Sequence, residues 1–377
     1  LLQAGLVPQA ERTLKDLAVR ARRGPMADEA WFRLERLYYQ SGDYQQALGA
    51  FSKISERPAE PIRPEALYLA GNSYLRLNDD RKAIDLLDRV GGGNESYPFA
   101  LYSSGLARLR LKETGHSMPG PFRKLMAIHP GEDPVLRELI HKTRVTVGFF
   151  LNDQKRYPEA IALFETVPPK SVYRIPARFG IGISYLGMEE CVKAVVVFGE
   201  LIEQAPTDPY ALEARLYVGT CYAKLNAYHK AMERYLDALA AYSARKENLK
   251  KLAERIQKLG AASTGADLIP ADLRRELAID RDFPELVEVY DDWFRLYGQI
   301  SRIDPETQGR KAPAAGPDLK TMRDRTQEVR RELDGLLRTA MTDQVSARME
   351  RIDELVRRAN IGITKNMILV QDHESAP

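Results

Sequence analysis

The chain has 377 residues, enough for one large domain or two to three ordinary ones, and 44% hydrophobic with 29% charged residues is a folded rather than a disordered composition. Its 56 basic and 53 acidic side chains nearly cancel, so no general field recruits nucleic acid or anionic lipid. Two cysteines exclude a disulfide framework and four-cysteine metal cages, and no apolar run reaches the roughly 18 residues of a membrane span.

The chain opens at Leu1 without a methionine, and residues 5–17 place Ala10, Leu14 and Leu17 on one helical stripe. Next come Trp31-x2-Leu34-Glu35-x2-Tyr38 and Ala47-x3-Phe51. The same arrangement returns with glycine in the Glu35 slot, at Gly71, Gly105, Gly148, Gly182 and Gly219, in steps of 34, 43, 34 and 37 residues. Tyr74, Tyr185 and Tyr222 follow three of these glycines at a fixed distance, and Arg108 and Leu151 hold that place after the other two. Further on comes an alanine (Ala83, Ala160, Ala194, Ala231), then a large apolar residue four beyond it (Leu87, Phe164, Phe198, Tyr235). Such a period predicts pairs of antiparallel helices, neither of which buries its stripe alone. Glycine inside a helix costs about 1 kcal/mol relative to alanine, so a slot that keeps it implies close approach of the partner helix. The third copy departs from the pattern. Gly115, Pro119, Gly120 and Pro121 interrupt its second helix, which predicts a loop, a shortened helix near 122–128 and a local bend.

This spacing resembles the tetratricopeptide repeat family over roughly residues 1–240. The resemblance implies an all-α, right-handed α-solenoid of helix pairs whose task is to bind other proteins rather than to catalyse a reaction. Residues 5–17 then correspond to a second helix whose first helix would precede Leu1, as would any export signal or anchor. In the family's geometry, first-helix positions three before, one after and four or five after the glycine slot look inward. Here that set is Phe32, Arg36, Tyr39, Tyr68, Asn72, Tyr102, Leu106, Val145, Phe149, Phe179 and Ile183, an apolar and aromatic groove for a protein partner or for the chain's own C-terminal region. Charged residues at both Phe149 and Phe179 are expected to abolish binding while leaving helix content intact. The family's carboxylate clamp for chaperones is absent, since only Asn72 fits and Ser103 holds the facing slot. The repeat at 205–239, with Pro206-Thr-Asp-Pro209 before Ala211-Leu-Glu-Ala214, is similar to repeats of bacterial cell-envelope scaffolds and implies a periplasmic or envelope-associated protein. A regulatory or assembly subunit of a cytoplasmic enzyme complex stays open beside it.

Four stretches are expected: a solenoid over 1–244, a helical end-cap region over 245–303, a linker over 304–317, and a long helix with a mobile tail over 318–377. The end-cap region reads as a helix at 247–259, a loop at 260–272, and a helix at 284–303 carrying Val287, Tyr290, Trp293, Phe294 and Tyr297. From Leu319 to Ala359 a stripe recurs in steps of 3 and 4, apolar except at Thr326 and with one slip of five, which favours a coiled-coil-like seam. Its partner is open between the preceding helix, a second copy and another protein. Gly362 reads as the helix stop.

No metal or cofactor site is expected. His116, His129, His141, His229 and His373 never fall at ligand spacing. The run Gly91-Gly-Gly-Asn94 lacks the Lys-Ser/Thr of a phosphate loop, and Gly180-Ile-Gly182 lies inside a repeat helix. Cys191 and Cys221 fall at helix ends expected to be neighbours. They read as free buried thiols, with a disulfide as the alternative.

Overall fold

In the computed structural model the described residues are 7–56, 62–112, 115, 117–258 and 319–374, and every regular element among them is an α-helix. The chain divides into two compact bodies. One comprises Glu11–Ala238 with Ile361–Pro377, and the other Leu1–Ala10 with Leu239–Asn360.

The first body carries the repeats. After α1 (Val7–Ala21) come α2 (Pro25–Gln40) with α3 (Tyr44–Phe51), α4 (Ile62–Arg76) with α5 (Asp80–Leu87), and α6 (Tyr97–Leu111) with α7 (Gly120–Met126). These are followed by α8 (Pro134–Asp153) with α9 (Tyr157–Glu165), α10 (Arg174–Gly187) with α11 (Cys191–Gln204), and α12 (Pro209–Lys224) with the start of α13 (Tyr228–Lys258). Each first helix also packs on the next first helix, α2 on α4 through to α10 on α12. Start signals are explicit in the sequence. Asp133 and Asp208 each precede a proline and accept hydrogen bonds from the backbone N–H groups of Val135 and Tyr210, both at 2.8 Å.

The glycine slots meet the second helices as the spacing requires. A Cβ at Gly71 would lie 2.6 Å from Leu87 Cγ, one at Gly148 2.5 Å from Phe164 Cε1, and one at Gly219 2.6 Å from Tyr235 Cε1. Gly105 and Gly182 approach Phe122 and Phe198 in the same way. Phe164 is met by two helices, because Gly180 of the following repeat also lies against its ring, at Cζ and Cε2. As expected, the third repeat's second helix is short. The seven-residue α7 buries Phe122 and Leu125 completely, and a cleft of about 560 Å³ opens between α7, α8 and α9.

A second recurrence was not apparent in the residue types. The residue seven positions after each slot turns the chain between the paired helices with positive φ: Gly42 (77°), Asn78 (61°), Lys112 (55°), Lys155 (58°), Glu189 (63°) and Asn226 (58°). Only glycine and asparagine enter this region cheaply, because a Cβ there crowds the following carbonyl. Lys155→Gly and Glu189→Gly are each expected to stabilise the protein by about 0.5–1 kcal/mol, read as a rise in the urea midpoint. An unchanged or lower midpoint would show that neither turn holds strain.

Two expectations are corrected at the C-terminal side. The helix expected at 247–259 is not separate, because α13 runs unbroken for 31 residues. No glycine or proline interrupts it, and its stripe continues through Ala238, Tyr242, Leu249, Leu252 and Ile256, all buried. Nor does Gly362 stop the long helix, since α14 (Leu319–Glu374) passes through it. In the first body a Cβ at Gly362 would lie 2.5 Å from Tyr235 Cζ, so this glycine serves close packing rather than termination. In the second body α14 buries Met341, Val345, Ile352, Leu355 and Ala359, and Asp353 pairs with Lys246 of α13. The expected loop at 260–272, helix at 284–303 and linker at 304–317 lie outside the described residues.

Candidate partner-binding groove

The eleven inward positions separate by slot. Three residues before the glycine slot stand Phe32, Tyr102, Val145 and Phe179, each no more than 7% exposed, with Tyr68 half-buried. One residue after the slot stand Arg36, Asn72, Leu106, Phe149 and Ile183, and every one of them is half-buried, as is Tyr39 further along α2. The reason for the split is the ring packing. Phe179 has ring centroids of Tyr210, Tyr217 and Phe198 at 5.1, 6.0 and 6.0 Å, so its aromatic mass closes the joint between repeats instead of lining a surface. A charged residue at Phe179 would test the core, and the positions of the expected groove that keep partial exposure are the plus-one stripe with Tyr39 and Tyr68.

That stripe is held by contacts on both sides. Arg36 pairs with Glu65, and its guanidinium lies 4.9 Å from the centre of the Phe32 ring. Asn72 donates through Nδ2 to the Tyr68 carbonyl at 2.9 Å and accepts from Ser103 Oγ at 2.9 Å. The Tyr102 hydroxyl lies 3.3 Å from Thr146 Oγ1, with Lys142 Nζ 5.0 Å from its ring centre. Phe149 meets Phe164 edge-on at 5.2 Å. Glu65, Lys142 and Thr146 were not singled out from sequence. Lys142 and Thr146, four apart on the face that precedes Gly148, carried a helical signal; Glu65 carried none.

Glu35, which replaces glycine in the first full repeat, is wholly buried, and neither carboxyl oxygen has a hydrogen-bond partner among the described residues. Burial pushes its carboxyl up to about 10, with the Glu65 carboxylate adding to the shift and Arg36 opposing it. The group is therefore protonated at neutral pH.

Other singled-out side chains are satisfied in the core. His141 is buried with Nδ1 3.3 Å from Glu138 Oε1, while Ser171 Oγ donates to Glu138 Oε2 at 2.7 Å. Cys191 and Cys221 are free thiols in one apolar cluster with Phe198. Burial, and then the neighbouring Cys191, push the Cys221 thiol up to about 12, which keeps it protonated and unreactive. The cleft beside α7 has an apolar floor of Val147, Leu151 and Leu163 and an Arg156–Glu159 ion pair at 2.5 Å, and no plus-one residue lines it. Among the described residues no helix is long and apolar enough to cross a membrane, and no group of three His, Cys, Asp or Glu could hold a metal ion.

The model of the tetratricopeptide repeat family matches residues 1–61 and 36–100. Among solved structures, the apo form of RapI is 13% identical, with 89% of this chain and 95% of that chain covered at a TM-score of 0.51. The C-terminal part of a TPR repeat-containing protein from Cytophaga hutchinsonii is 15% identical, covering 68% of this chain and 95% of that one at 0.46. The TPR2AB domain of yeast Sti1, solved with pHSP90, is 14% identical over 63% of this chain and 90% of that one at 0.25. No curated protein matches.

Proposed function

We propose, on the match of the tetratricopeptide repeat model to residues 1–61 and 36–100 and the recurrence of the same helix pair beyond them, that the first body is a non-catalytic scaffold, holding a segment of another protein along Arg36, Asn72, Leu106, Phe149 and Ile183. The observation that carries this reading is the recurrence of one half-accessible slot, directly after the glycine position, in five successive repeats. Residues that recur on one face at repeat spacing form a continuous track, and partners of repeat proteins run along such tracks. The track is graded, from charged and amide groups at Arg36 and Asn72 to aliphatic and aromatic ones at Leu106, Phe149 and Ile183. A segment with carboxylates at one end and large apolar side chains at the other matches it.

We further propose an envelope assembly as the setting, on the likeness of the repeat at 205–239 to envelope scaffolds. Arg36→Glu combined with Leu106→Glu is expected to abolish capture of the partner from the source organism, with far-UV circular dichroism unchanged. Capture from the periplasmic rather than the cytoplasmic fraction checks the setting. Full retention of the partner by the folded double variant would remove the track from consideration.

A further inference from the structure

The C-terminal end of α14 repeats the register of a first helix. In α10, Gly180 lies against Phe164 of the preceding second helix, and buried Ser184 donates to the Gly180 carbonyl at 2.8 Å. In α14, Gly362 lies against Tyr235 of the preceding second helix, and buried Asn366 donates through Nδ2 to the Gly362 carbonyl at 2.7 Å. Tyr235 is thereby held between Gly219 and Gly362 as Phe164 is held between Gly148 and Gly180. Its hydroxyl is fixed 3.2 Å from Thr220 Oγ1.

The correspondence assigns the opposite face of the helix as well. In α10 the residues Phe179, Gly182, Ile183 and Leu186 meet the repeat's own second helix around Phe198. In the same register α14 presents Ile361, Thr364, Lys365 and Ile368. Ile361 and Ile368 are 54% and 52% exposed, two of the large apolar side chains left open in the first body. Lys365 is exposed between them, with no carboxylate partner among the described side chains. Apolar residues one and two turns apart on a helix form a stripe that another helix can cover.

We propose that residues 361–374 act as the first helix of a further, incomplete repeat, and that Ile361, Thr364, Lys365 and Ile368 form a docking surface for one amphipathic helix of a partner protein. The chemistry of that helix follows from the register. Thr364 stands where Gly182 admits the Phe198 ring, so its Cβ and branch exclude an aromatic side chain and call for alanine or a similarly small residue opposite. Ile361 and Ile368 call for aliphatic contacts, and Lys365 for a carboxylate at the edge. Lys365 holds the plus-one position of this incomplete repeat, and none of the five track residues belongs to the surface.

The test uses the full chain and two helix-stapled peptides as probes, followed by fluorescence anisotropy. The first peptide has the sequence of residues 79–90 with Leu87→Ala, an aspartate-rich second helix with a small residue at the contact position. The second has the sequence of residues 190–204 and keeps Phe198. The first is expected to bind saturably, and the second at least about tenfold more weakly. Ile361→Asp with Ile368→Asp should weaken the first by about tenfold or more, and Lys365→Glu should weaken it and remove its salt dependence. Both isoleucines are more than half exposed, so an unchanged thermal midpoint is expected for the double variant; Lys365→Glu provides the reading if that variant melts early. Arg36→Glu with Leu106→Glu should leave peptide binding intact, which separates this surface from the track. Absence of saturable binding by the first peptide, or binding that survives both sets of substitutions, overturns the proposal.

Discussion

Phe164→Ala is expected to lower the unfolding free energy by about 3–5 kcal/mol, the range for deleting a fully buried phenylalanine. The upper part of the range is expected, because the ring occupies space that no neighbour can refill. Gly148 and Gly180 face it from two helices with no side chains to relax into the cavity, and Phe149 meets it only edge-on. Urea denaturation measures the loss. The same geometry predicts a sign reversal at the facing site. Gly180→Ala should destabilise the wild-type chain, where the new methyl meets the ring, and be neutral or stabilising in the Phe164→Ala background. A loss under about 1.5 kcal/mol, with no coupling between the two sites, would mean that the ring is not the joint between repeats.

Glu35→Ala is expected to change how stability depends on pH. In the folded chain the Glu35 carboxyl sits at about 10, against 4.5 for an ordinary glutamate. Between those values the folded chain keeps a proton that the unfolded chain has released. Stability therefore falls as pH rises through that window, by about 1.4 kcal/mol per pH unit. Its contribution is most favourable below the unfolded value. Removing the carboxyl removes this slope, so the variant gains on the wild type steadily from roughly pH 5 to pH 9. Paired urea titrations across that range isolate the effect, because the two chains differ only in that one side chain. A difference that stays flat with pH would mean the carboxyl is solvated or partnered in the fold.

The repeat itself was legible because its cost is visible in the residue types. A helix does not keep glycine at Gly71, Gly105, Gly148, Gly182 and Gly219 without close packing in return, and each does meet a large side chain. The interruption at Pro119 and Pro121 announced the short α7 for the same kind of reason. Gly362 misled, since one glycine near the end of a polar helix reads as a C-cap until its partner ring is known. The unbroken α13 misled because loss of the repeat period looks like loss of the helix. The groove was legible by slot but not by depth. Phe179 and Phe149 are both phenylalanines three and one residues from a glycine slot, and only the rings at Tyr210 and Tyr217 decide that the first is core. The left-handed turns at Lys155 and Glu189 carried no signal at all, as these residue types rarely adopt that conformation.

A phenylalanine shared by two glycines from consecutive repeats has a consequence for how the array melts. In a linear array, stability is the sum of each repeat's own term and the terms between neighbours. At Phe164 one side chain supplies both, so the repeats built on α8 and α10 cannot fray one at a time. Phe149, on the accessible track, touches that same ring at 5.2 Å. On the proposed function, a partner seated on Phe149 would bear on that ring, and occupancy of the track is expected to stiffen the array at this joint.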